Sequence, residues 1–180
     1  MFGTRGVTVA LCSAALTGSA LICAPASSAH DDANGAICTG REDGYSSPSL
    51  GLLPQPTRIH ARARYSCSGR PGQDLPATGT FEGFSPAASC IAVNDNPTGR
   101  EVVQYADGHT SIIVYDSSST FRAVGVNIVR LEGKVTEGRG KGLRAHRTLT
   151  TLADGVAAEC LIHTRVHHAP GGVQLEVGPE

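Results

Sequence analysis

Four polar side chains interrupt alternating rows that are otherwise apolar. Glu101 and Tyr105 fall in the row of Val103, Ile112 and Val114, Asn127 stands between Gly125 and Val129, and Arg147 between Ala145 and Leu149. A few convergent polar groups inside an apolar enclosure are the usual make-up of a small-ligand site. If these rows line the inside of a barrel, the four meet there as one polar patch. The plainer reading is that the rows fray at the sheet ends. Glu101 and Arg147 then stand in water or pair with each other, because a lone buried charge is costly.

Other residues invite metal chemistry. His163, His167 and His168 are close in sequence. On a strand, however, residues four apart are separated by about 13 Å at ~3.3 Å each, and adjacent side chains point to opposite faces. No shared ion is therefore expected, and no metal site is assigned. If a leader is removed after Ala29, His30 becomes the first residue. Its amine and imidazole, with a second histidine such as His109, would hold copper in the manner of oxidative polysaccharide-cleaving enzymes. The polar Asp31–Gly35 tail and the absence of Trp give such a site no scaffold, so no cofactor is expected.

Two basic runs, Arg58-His60-Arg62-Arg64 and Arg139-Lys141-Arg144-His146-Arg147, suit an acidic wall polymer or phosphate. They equally suit a solvated strand face that resists edge pairing. Gly-x-Ser-x-Gly, a phosphate loop, His-Glu-x-x-His and Cys-x-x-Cys are all missing, so catalysis has no motif to stand on. Pro97 after Asn96 rules out glycosylation there.

The elements that must position these groups are strands. Arg100–Tyr115 predicts a hairpin about Asp107-Gly108, with Tyr105 opposite Thr110 and Val103 opposite Ile112. Thr57–Cys67 alternates strictly, Ile59, Ala61, Ala63, Tyr65 and Cys67 against Arg58, His60, Arg62, Arg64 and Ser66. Thr78–Phe84, Ser89–Val93, Thr120–Val135, Leu143–Leu152, Val156–Val166 and Val173–Val177 read as further strands. Turns are expected at 68–76, 116–119, Asp154-Gly155 and Pro170-Gly171-Gly172. Cys38–Tyr45 has no clear period, and Ser46–Pro56, with three prolines, reads as an extended connector. No helical period is evident. The expectation is an all-β domain, an antiparallel meander of about eight strands curled into a barrel, with a two-sheet sandwich as the alternative.

Met1–Ala29 has Arg5, an apolar run from Val7 to Ala24 and small residues at Ser27-Ser28-Ala29, the layout of a secretory signal peptide. Residues 30–180 then form a single secreted domain. The formal net charge is −1, and losing Arg5 makes it more negative. Neither nucleic-acid binding nor membrane insertion after cleavage is expected. Aromatics at 4% are too sparse for a sugar-stacking surface. Cys38, Cys67, Cys90 and Cys160 remain, an even number that reads as two disulfides with three possible connectivities. Cys38 with Cys67 would close the first strand pair and leave Cys90 to Cys160, one of the three connectivities that the sequence leaves open.

The order of these features resembles a group of small secreted actinomycete proteins of unknown function. It consists of the leader, Cys38 before a Pro-rich connector, a strand ending in Cys67, then Cys90. The Tyr105–Thr110 hairpin, Gly138-Arg-Gly-Lys-Gly142 and Cys160 complete it. The resemblance implies an architecture and no site. The functional expectation is an extracellular β module, non-catalytic, binding a small molecule, a wall polymer or a protein. The alternative is a secreted enzyme, using either the barrel-interior patch or copper at His30.

Overall fold

The computed structural model describes residues 35–68, 74–90 and 96–179. The leader and His30 lie outside the described residues. Eight antiparallel strands close into a barrel in chain order, each paired with its sequence neighbours and the last with the first. They are β1 (Ala36–Leu50), β2 (Gln55–Ser68), β3 (Asp74–Ala88), β4 (Thr98–Tyr105), β5 (Thr110–Ala123), β6 (Val126–Gly138), β7 (Arg144–Leu152) and β8 (Val166–Gly178). The expected barrel meander is thus the observed fold. On β2, Ala61, Ala63, Tyr65 and Cys67 face the interior, while Arg58, His60, Arg62 and Arg64 point out into solvent. Among the described residues no helix is long and apolar enough to cross a membrane.

The two disulfides are Cys38–Cys67 and Cys90–Cys160. Cys38 faces Cys67 across the β1–β2 ladder, at the end of the barrel that also holds the β4–β5 and β6–β7 turns. Cys90–Cys160 sits at the other end, in a small cluster with Val166 and Leu50.

Several local expectations are corrected. Tyr105 lies opposite His109 around a three-residue loop, Ala106-Asp107-Gly108: Tyr105 N donates to His109 O at 2.9 Å, and Tyr105 O accepts from Gly108 N at 3.0 Å. Gly108 is left-handed (φ 88°), the conformation that a three-residue hairpin loop places last. The extra loop residue moves Val103 opposite Ser111 and Glu101 opposite Ile113. Ser111, Ile113 and Tyr115 therefore point inward, and Val114 outward. Residues 116–119 are not a turn: they continue β5 past a bulge after Tyr115, and the turn comes at Val124-Gly125 instead. The expected Thr120–Val135 strand is consequently split between β5 and β6.

Ser85-Pro86 lies inside β3, which runs on to Ala88, and the described Ser89 and Cys90 are not in a strand. The proline-rich connector shrinks to residues 51–54 because β1 extends to Leu50. Pro170-Gly171-Gly172 is the middle of β8, not a turn. Gly171 is there for proximity: a Cβ on it would lie 2.7 Å from Leu149 Cδ1.

The largest correction is α1 (Ala153–His163), a helix where a tight turn and a strand were expected. Both alternating rows of that segment contain apolar residues, Ala157 and Leu161 among them, so period two separated nothing. Alanine, glutamate and leucine favour helix. Of its side chains Cys160 is fully buried, whereas Leu161 and Ile162 are 70% and 73% exposed.

Candidate functional site

Halfway along the lumen, charged and aromatic side chains from six strands meet. Glu42 enters from β1, Tyr65 from β2, Phe81 from β3, Glu101 from β4, Tyr115 from β5 and Arg147 from β7. Glu101 is 0% exposed, Arg147 1% and Glu42 4%. Tyr65 Oη donates to Glu101 Oε1 at 2.7 Å, and Tyr115 Oη donates to Glu101 Oε2 at 2.8 Å. Arg147 reaches across the lumen. Its Nη2 donates to Glu42 Oε2, its Nε lies 3.2 Å from Glu101 Oε2, and its guanidinium stacks 4.7 Å over the Phe81 ring. The Nε–Glu101 approach is an ion pair rather than a hydrogen bond, since the N–H is not aimed at the oxygen.

Backbone space makes the cluster possible. Gly79 pairs with Ala63 and Val103 on the inner wall. A Cβ there would overlap the Glu101 carboxyl and come within 2.7 Å of Tyr65 Cε2. Gly83 and Gly99 leave room for the Phe81 ring in the same way, each at 2.6 Å from a would-be Cβ.

The electrostatics follow from burial and charge count. One guanidinium faces two carboxyl groups. Burial pushes Glu42 above the usual carboxylate range; the Arg147 guanidinium opposes this and Glu101 adds to it. Burial also raises Tyr65 and Tyr115, reinforced by Glu101, so both stay protonated as hydrogen-bond donors. Burial alone would lower Arg147, but Glu101, Tyr65 and Glu42 outweigh it, and the guanidinium stays charged.

Towards the end that carries α1, the lumen is not filled. A cavity of about 170 Å³ opens there. Ile59, Val129, Leu149 and Ala169 form apolar wall, Glu42 lies at its inner boundary, and Thr120, Arg122, Asn127 and Thr151 add polar groups. Thr120 Oγ1 is a buried hydroxyl with no hydrogen-bond partner in the protein. Arg122 is exposed and its Nε donates to Asn127 Oδ1 at 2.9 Å. Ser89, Cys90 and Leu50 border the same space, so the Cys90–Cys160 bridge fastens α1 beside the mouth. A second hollow, about 490 Å³, is lined by Arg41, Glu42, Asp43 and Arg64 where Gly40, Gly171 and Gly172 leave the wall bare. Arg41, Asp43 and Arg64 are exposed, which makes it a solvated surface rather than an apolar enclosure, and the buried Glu42 borders both spaces.

Of the four residues singled out in the sequence, Glu101 and Arg147 converge and are buried, which overturns their placement at frayed strand ends. They do pair, inside the barrel. Asn127 lines the cavity. Tyr105 belongs elsewhere: it lies at the opposite end, 3.3 Å from Ser111 Oγ and under the Arg139 guanidinium at 4.7 Å. Arg139 is itself bound to Asp107 at 2.6 Å. Arg147 leaves the second basic run for the core. Among the described residues no group of three metal-ligating side chains assembles. His167 is hydrogen-bonded to Ser49 and His168 lies 3.2 Å from Asp43.

Sequence reasoning missed Glu42, Tyr65, Tyr115 and Phe81 as members of the cluster, although it placed Tyr65 on the inward row of its strand. Tyr115 would have followed from the correct hairpin register, and Phe81 from the glycines on either side of it. Glu42 carried the weakest signal, because its row reads Cys38, Gly40, Glu42, Gly44. Comparison with protein-family models, curated proteins and solved structures finds no match to this chain.

Proposed function

We propose that the protein is an extracellular, non-catalytic barrel that binds a small molecule in the cavity at its α1 end. The observation that carries this reading is an apolar space with a buried carboxyl at its inner boundary and an unpartnered hydroxyl, Thr120 Oγ1, in its wall. Apolar walls supply the drive for binding, and a few fixed polar atoms supply orientation. A volume near 170 Å³ suits a one-ring molecule, since a cavity of about 150 Å³ holds benzene. The leader-like start and two disulfides support an extracellular setting, as does the resemblance to secreted actinomycete proteins.

The test is methyl NMR of the disulfide-intact protein titrated with one-ring compounds. Saturable shifts are expected at Ile59, Val129 and Leu149, and they should disappear in Leu149→Trp, which fills the space. Shifts confined to outward-facing residues would refute the reading. A catalytic role has one point in its favour, a cavity-lining carboxyl raised by burial. Turnover by the protein that is lost in Glu42→Gln would establish that role instead.

A further inference from the structure

We propose that the ligand is a small organic cation, a protonated amine or amidine on an apolar body of one-ring size, with the Glu42 carboxyl as its counter-ion. The inference rests on the cavity being a binding site and adds the chemical class of what enters it.

Charge and hydrogen-bond accounting inside the barrel leads to it. Among the described residues the lumen holds two buried carboxyl groups and one guanidinium, all at most 4% exposed. Glu101 is fully engaged: its two oxygens accept from Tyr65 and Tyr115, and Arg147 Nε lies against it. Glu42 is not. Among the described residues its hydrogen-bond partner is Arg147 Nη2 alone, and it borders the cavity. A buried carboxyl with spare acceptor capacity is costly unless something donates to it. From the cavity side, a cationic donor would do so and would also cancel the surplus negative charge. An anionic ligand would add a third negative group to the same space, and a wholly apolar one would leave Glu42 as it is.

Among the described residues that line the cavity, the one cation is Arg122. It is exposed and turned towards Asn127, where solvent and salt weaken its repulsion. The ligand's charge, by contrast, would meet Glu42 in a low-dielectric interior. Thr120 Oγ1 offers a second acceptor on the wall.

Benzylamine, benzyl alcohol, toluene and phenylacetate have closely similar apolar bodies and differ in their head groups. Titrated at pH 7 into the disulfide-intact protein by calorimetry and methyl NMR, benzylamine is expected to bind at least about tenfold more tightly than benzyl alcohol. That ratio corresponds to the ~1.5 kcal/mol lower end for a hydrogen bond to a charged group. Phenylacetate should bind weakest. In Glu42→Gln the preference should fall to about threefold or less, with toluene affinity little changed. If Glu42→Gln fails to fold, the ranking in the unaltered protein decides alone. Benzyl alcohol, toluene or phenylacetate binding as tightly as benzylamine overturns the cation class and leaves the cavity a binding site. No shift with any of the four overturns both.

Discussion

Among the described residues Arg147 is the only buried cation in a lumen that also holds Glu42 and Glu101, so replacing it by methionine is the most demanding perturbation of the barrel. Methionine keeps much of the volume against Phe81 and removes the charge. Two carboxyl groups are then buried without a counter-ion, and Glu42 loses its donor. Removing one partner of a buried ion pair costs about 3–5 kcal/mol. With a urea slope of roughly 2 kcal/mol per molar for a domain of this size, the unfolding midpoint should fall by about 2 M. The loss should also depend on pH in a definite direction. Burial already raises Glu42 in the native protein, and without the guanidinium nothing opposes the rise. The variant therefore regains stability as the pH is lowered from neutrality and the buried carboxyl takes up a proton. The triple variant Glu42→Gln, Glu101→Gln, Arg147→Met buries no charge and should recover to within about 2 kcal/mol of the original protein. Urea unfolding followed by circular dichroism, with both disulfides intact, measures all three. A loss below about 1 kcal/mol for Arg147→Met at pH 7 would place these groups in solvent-like surroundings. It would refute the reasoning.

Further outcomes follow from the same geometry. Gly79→Ala drives a methyl into the Glu101 carboxyl and the Tyr65 ring and should cost about 1–3 kcal/mol in thermal unfolding. Gly142→Ala meets no neighbour within 4 Å but carries φ 90° and should cost only about 1–2 kcal/mol; if the two cost the same for similar reasons, the interior is looser than described. Glu42 has its folded-state value raised above 4.5, so its contribution is fully present below that pH and is lost as pH rises through the raised value. The stability difference between Glu42→Gln and the unaltered protein should therefore move in the variant's favour as the pH rises above 4.5, and a flat difference would contradict this. Replacing Cys90 and Cys160 by alanine removes the main anchor of α1. Amide exchange should rise across 153–163 and leave β2–β3 protected, whereas an equal rise throughout would mean that α1 is integral to the barrel.

Much of the barrel was legible in the sequence because charge and small or apolar side chains alternate cleanly on β2, β6 and β7. On β2, Ala61, Ala63 and Tyr65 face the lumen and Arg58, His60, Arg62 and Arg64 the solvent, as their order implies. β1 was illegible for the opposite reason: its inward residues are glycines, a cysteine and Glu42, and such a row has no apolar period. The hairpin turn was found but its loop length was not, and one residue was enough to exchange Ile112 and Val114 for Ile113 and Tyr115 on the inner face. α1 was lost because alternation was read into a segment that is apolar on both rows, where strand and helix look alike. Glu101 and Arg147 were noticed as polar residues in apolar rows. Their burial depends on Glu42, Tyr65 and Tyr115 from three other strands, a convergence that no single segment reveals.

The most direct test of a ligand-sized interior is a set of intermolecular nuclear Overhauser effects from bound benzylamine. Contacts from its ring protons to the Ile59, Val129 and Leu149 methyls are predicted, with none to Leu175 or Val177 at the opposite end of the lumen. Contacts to Leu161, Ile162 or other exposed methyls alone, at concentrations that saturate the shifts, would contradict it.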